Sequence, residues 1–167
     1  MFKKTRGAFT HWVKSMTSTK SQQTSKGFSL IELLIVLSLI LIMATLAVPN
    51  YMAARSRANE ASATASVRAI ITAQNMYRNT FGAFTDLNQL GGDYLTDNML
   101  AAGQKSGYMF ISNPDSGSGT LLFTVEATPV LSLGASRTGQ RHYFGDQSAV
   151  IRFDLSGPAN TSSSPLQ

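Results

Sequence analysis

One apolar run, FSLIELLIVLSLILIMATLAV, fills residues 28–48 and constrains the chain more than any other feature. Its 21 residues carry a single charge, Glu32. As a helix rising about 1.5 Å per residue it reaches roughly 30 Å, the thickness of a bilayer's hydrocarbon core. A carboxylate four residues into such a run costs about 2.5–3.5 kcal/mol even on the lenient insertion scale, so a plain anchor has no reason to keep it. The run closes on Pro49, where a missing amide hydrogen and a clash with the preceding turn predict a kink or a short loosened stretch.

The segment before the run sets its orientation. Lys3, Lys4, Arg6, Lys14, Lys20 and Lys26 precede it with no acid among them, which places the N-terminus on the cytoplasmic side and everything after Asn50 outside. The formal charge of +5 invites a nucleic-acid reading, but six of the 14 basic residues lie in this leader. Without it, eight basic groups face nine acidic ones. An ordinary secretory signal fits less well, because its apolar region is about 7–15 residues long and ends in a small-residue cleavage site. Here the apolar run leads straight into a long polar helix.

Lys26-Gly27, then Phe28-Ser29-Leu30-Ile31-Glu32 and an unbroken apolar run closed by Pro49, resembles the class III signal of type IV pilins and of type II secretion pseudopilins. The resemblance spans residues 26–55 and loosens beyond. It implies that a membrane-embedded prepilin peptidase cuts between Gly27 and Phe28 and methylates the new Phe28 amine. It also implies that Glu32 matches the glutamate the family uses during filament assembly. The partners implied are copies of the chain and related pilins, together with an inner-membrane assembly platform and its ATPase. Many pilins staple their C-terminal loop with a disulfide; this chain has no cysteine and departs from that pattern.

Beyond Pro49 the stretch to about Thr80 holds no proline or glycine and many good helix formers, so the helix is expected to continue. Ala54, Ala58, Ala61, Ala65, Ala69 and Ala73 form a small-residue stripe suited to close contact with neighbouring helices. Val67, Ile70, Ile71 and Tyr77 supply bulk for packing on the chain's own sheet. Four β-like runs follow, at 108–112, 121–127, 141–145 and 149–155. Asn113 to Gly119 reads as a hairpin loop, and Asp146-Gln147-Ser148 as a tighter one. The expected fold is α+β, a long N-terminal helix with a transmembrane first half packed on a small antiparallel sheet. Its parts are a cleaved leader (1–27), a membrane and assembly half of the helix (28–49), a periplasmic half (50–80), a connecting region with one or two helical turns (81–107), the sheet (108–157) and a flexible tail (158–167).

Residues with obvious chemistry are few. His142 is the one histidine after the leader and sits in a strand-like run, where a structural role is the simpler reading. No serine stands in a nucleophile elbow and no glycine pattern matches a phosphate loop. Asp86, Asp93, Asp97, Asp115, Asp146 and Asp154 could offer oxygens to calcium, which major pseudopilins bind, but they lack EF-hand spacing, and turn and capping roles account for them. No cofactor is therefore expected. Arg137, Arg141 and Arg152 are candidates for a basic strip on the sheet. The reading that follows is a structural subunit, not an enzyme, waiting in the inner membrane and polymerising into a type IV filament. A pseudopilin of type II secretion, a minor or tip pilin, and a membrane-tethered binding module are the alternatives. The last of these requires a pocket.

Overall fold

The structure, a computed structural model, describes residues 27–115 and 122–166. The chain parts into two compact units at Leu39 and Ile40. One helix, α1 (Leu30–Phe81, 52 residues), contributes to both. In the first unit it begins directly after Ser29, whose carbonyl accepts the Leu33 amide at 3.2 Å. Side chains from Leu30 to Leu39 are exposed. An 18-residue window of α1 has a mean hydropathy of 2.8 and no buried residue; among the described residues this is the one helix long and apolar enough to cross a membrane. The polar side chains in the apolar half turn back on their own backbone. Ser38 Oγ donates to Leu34 O at 2.5 Å and Thr45 Oγ1 to Ile42 O at 2.7 Å, so both hydroxyls are satisfied within the helix.

The second unit packs the rest of α1 on a six-stranded antiparallel meander. Its strands are β1 (Gln104–Lys105), β2 (Tyr108–Asp115), β3 (Leu122–Pro129), β4 (His142–Asp146), β5 (Arg152–Asp154) and β6 (Ser164–Pro165), neighbours in that order. Two single-turn helices, α2 (Leu87–Leu90) and α3 (Asn98–Ala101), fill the connection from α1. On α1 the buried positions Ala63, Ser66, Val67, Ile70, Ile71, Ala73 and Gln74 recur at helical spacing. They meet the alternate residues Phe110, Phe123, Val125, Ala127 and Tyr143 of the sheet. Each fully buried Val or Ile contributes about 1.5–3 kcal/mol, so this seam fixes the second unit. Gly145 lies where β4 passes closest to the helix; a Cβ there would stand 2.8 Å from Ile71 Cδ1. Gln74, fully buried, donates to Thr85 O (2.5 Å) and Ser112 Oγ (2.7 Å) and accepts from the Thr85 amide (3.1 Å), tying helix, connection and sheet together.

Several expectations change. The helix passes Pro49 without a break, so no loosened stretch is seen there. Asn113, Pro114 and Asp115 belong to β2, paired with Thr124, Phe123 and Leu122, rather than to a hairpin loop. Proline is tolerated because β1 pairs only as far as Met109, which leaves β2 an edge at Pro114. The remainder of that loop lies outside the described residues, as does the leader up to Lys26. The strand expected over 149–155 shortens to Arg152–Asp154, because Ala149 takes a positive φ of 60° in the turn. The C-terminal segment is not a flexible tail. Leu166 N donates to Ile151 O at 2.7 Å, β6 pairs with β5, and Leu166 packs against the core.

Candidate functional site

Two regions carry features that the fold does not need for itself. The first is the start of α1. Gly27 and Phe28 precede the helix, and Phe28 is 84% exposed. Glu32 falls in the first helical turn, where a carboxylate faces the unsatisfied amides and gains about 0.3–1 kcal/mol from the helix dipole. Ser29 stands just before the helix, three residues ahead of Glu32, the spacing of a capping box. That pattern is present in the sequence and is a signal the sequence reading passed over. No lysine or arginine lies between Phe28 and Ala54, so Glu32 has no cationic side chain within the apolar run.

The second region is a groove of about 730 Å³ in the second unit, beside the stretch of α1 that follows Pro49. Arg57, Glu60, Thr64 and Arg68 line it from the helix, and Arg137, Gln140, Arg141 and Tyr143 line it from the chain entering and forming β4. The spacing of three and four on α1 puts the first set on one face, a signal present in the sequence but not used. Glu60 is held from both sides. Its Oε1 accepts the Gln140 amide at 2.9 Å and its Oε2 lies 4.0 Å from Arg141 Nε. Arg141 also stacks over the Phe153 ring at 4.7 Å, and its carbonyl accepts the Tyr108 hydroxyl at 2.9 Å. Arg137 lies against Gln140, whose carboxamide, turned with its oxygen inward, accepts at 2.8 Å. Burial is the main cause that pushes both the Tyr108 and Tyr143 hydroxyls above the ordinary tyrosine range.

The other sequence candidates resolve into structural roles. Asp86 caps α2 by accepting from Gln89 N, and Asp97 caps α3 and pairs with Lys105 at 2.7 Å. Lys105 is the first cause that holds the Asp97 carboxyl below its usual range. Asp146 and Asp154 accept from the amides of Ser148 and Ser156 in turns. Among the described residues no three His, Asp or Glu side chains gather as a metal site would need. Arg152 leaves the expected basic strip and donates to Ser163 O at 3.1 Å. Arg137 and Arg141 stay together in the groove. His142 is half-buried on β4, and its Nδ1 has no partner among the described residues.

Comparison with known proteins bears on the first region. Residues 23–48 match the prokaryotic N-terminal methylation motif. The chain is 43% identical over 63 residues to the type IV wide pilus major component PilA4 of Thermus thermophilus, covering 38% of this chain and 48% of that protein. It is 31% identical over 77 residues to the type IV major pilin protein PilA of Myxococcus xanthus, covering 46% of this chain and 35% of that one. The chain thus spans less than half the length of the relatives it matches. No solved structure matches.

Proposed function

We propose that the chain, which carries the N-terminal methylation motif and is similar to two type IV pilins, is a type IV filament subunit, held in the inner membrane by the first half of α1 until it polymerises. In this reading a prepilin peptidase cuts between Gly27 and Phe28 and methylates Phe28, and the C-terminal unit stands on the periplasmic side. The observation that carries it is an apolar helix, exposed from Leu30 to Leu39, that keeps one carboxylate. In a membrane anchor that carboxylate is a cost; in a polymer it is a contact. A pilus rather than a secretion pseudopilus is favoured by the two relatives, each named as a pilus protein.

Glu32 needs a cation, and the nearest is the Phe28 amine freed by cleavage, which stays protonatable after methylation. Within one chain, residues 28 and 32 hold a set relation at the start of the helix. A neighbouring copy's amine approaches without that constraint, so Glu32 of one subunit pairs with the terminal amine of the next and sets the axial step. Glu32→Gln keeps the size and removes the charge. It is expected to insert and be cleaved normally but to yield few or no filaments by electron microscopy. Filaments of the variant at wild-type abundance would reduce Glu32 to a carboxylate at a helix end.

A further inference from the structure

Charge is sorted along the second unit in a way its own fold does not require. At the level of Arg57 to Arg68 the groove presents Arg57, Arg68, Arg137 and Arg141 against Glu60 alone, and Glu60 is already engaged by Arg141 and the Gln140 amide. Among the described residues Arg57, Arg68 and Arg137 have no carboxylate within 4.0 Å. Two further acids near this level are held locally, Asp97 by Lys105 and Asp154 by the Ser156 amide; Asp86, Asp93 and Asp146 lie further along α1. Asp93 precedes Tyr94, whose ring packs on Tyr77 at 5.4 Å and Phe81 at 6.4 Å. Asp86 follows Thr85, which is bonded to Gln74. Asp146 stands opposite Thr124, itself opposite Asn113, one residue past the Ser112 that Gln74 also holds. From the middle of the groove to this level is about 15 helical residues, roughly 22 Å. Arg78, the basic side chain at that level, lies over the Phe84 ring at 5.5 Å.

Asp93 is the acid best placed to reach outward. It is exposed after Gly91-Gly92, where Gly92 takes a φ of 91° at the tip of a turn, and among the described residues it has no hydrogen bond or ion pair. Asp86 and Asp146, by contrast, already cap local amides. A basic groove at one level and an acidic tip at another cannot satisfy each other within one chain. They can between two copies displaced along the helix axis.

We infer that the groove formed by Arg57, Arg68, Arg137 and Arg141 receives the Asp93 tip of a second copy of this chain, in a head-to-tail contact that repeats along the filament. Such a contact joins two different patches, the kind that propagates as an open polymer when its rotation closes no ring. Charge pairs of this kind set register and reject wrong partners more than they add affinity. The inference rests on the filament reading above.

The test is charge reversal in the full chain, expressed in cells lacking the wild-type copy, with sheared filament yield measured against total subunit on immunoblots. Arg57→Glu with Arg68→Glu, and Asp93→Arg alone, are each expected to lower filament yield about tenfold, the equivalent of about 1.4 kcal/mol. Combining all three is expected to restore most of it, since each reversed group meets its reversed partner. Arg57→Gln with Arg68→Gln, which removes the charge without reversing it, is expected to fall between wild type and the reversal. If the combined variant accumulates but yields no more filaments than the weaker reversal, or if the glutamine pair assembles like wild type, the contact is wrong. Unchanged filaments with lost retention of duplex DNA in the groove reversal would overturn it and assign the groove to nucleic acid. Absence of filaments from wild-type cells would instead overturn the filament reading.

Discussion

At the scale of single residues, legibility followed how unusual each residue's setting is. Glu32 stood out because a carboxylate in hydrocarbon has few explanations, whereas Gln74 looked like any helical glutamine. Its burial and its three hydrogen bonds depend on Thr85 and Ser112, 11 and 38 residues away, and no local pattern announces such partners. Tyr108 was equally silent. Its hydroxyl is removed from water and donates to Arg141 O, and desolvation raises its pKa above the ordinary value of about 10. The sign follows from proton counting. As pH rises past 10 the unfolded chain releases the Tyr108 and Tyr143 protons before the folded chain does, so stability present below pH 10 is lost above it. A fragment of residues 55–167, which carries the helix-sheet seam without the apolar half, is expected to be folded, soluble and monomeric at pH 7. Its urea midpoint should be level in pH between 7 and 9 and fall between 10 and 12. A midpoint independent of pH across that range would mean the two hydroxyls are solvated.

At the scale of elements, the long helix was legible to within a residue or two because its signals are local: no breaker after Pro49 and apolar positions at helical spacing. The strands β2, β3 and β4 were legible through alternation. The C-terminal strand was not, because residues 158–166 are short, rich in Ser and Pro, and owe their order to β5 rather than to any propensity. With no cysteine to staple it, the segment is held by pairing of Arg152 with Pro165 and Phe153 with Ser164, by Arg152 on Ser163 O, and by Leu166 on the core. Removing residues 161–167 from the same fragment exposes Ile151 and unties Arg152. We expect a loss of about 2–3 kcal/mol, read as a lowered thermal midpoint. A flexible tail would leave the midpoint where it is.

At the scale of the whole molecule, the chain divides its tasks by sequence position. In the proposed function the leader sets topology and the apolar half of α1 holds the subunit in lipid and then in the polymer, while the second unit folds around its own core. The groove was not legible as a whole because Arg57 and Arg68 are separated by 69–84 residues from Arg137 and Arg141, and only the meander brings them together. Its helical half was, since Arg57, Glu60, Thr64 and Arg68 share one face.

The central claim, that the chain is processed after Gly27 and polymerises through α1, meets its most direct test in the mass of the subunit recovered from sheared surface filaments. The account predicts this chain as a filament component with the mass of residues 28–167 plus one methyl group, and an isoelectric point well below that of the full sequence at about 9.7, since six basic residues leave with the leader. Recovery of the chain only from the membrane fraction, with Met1 to Gly27 still attached, would contradict it.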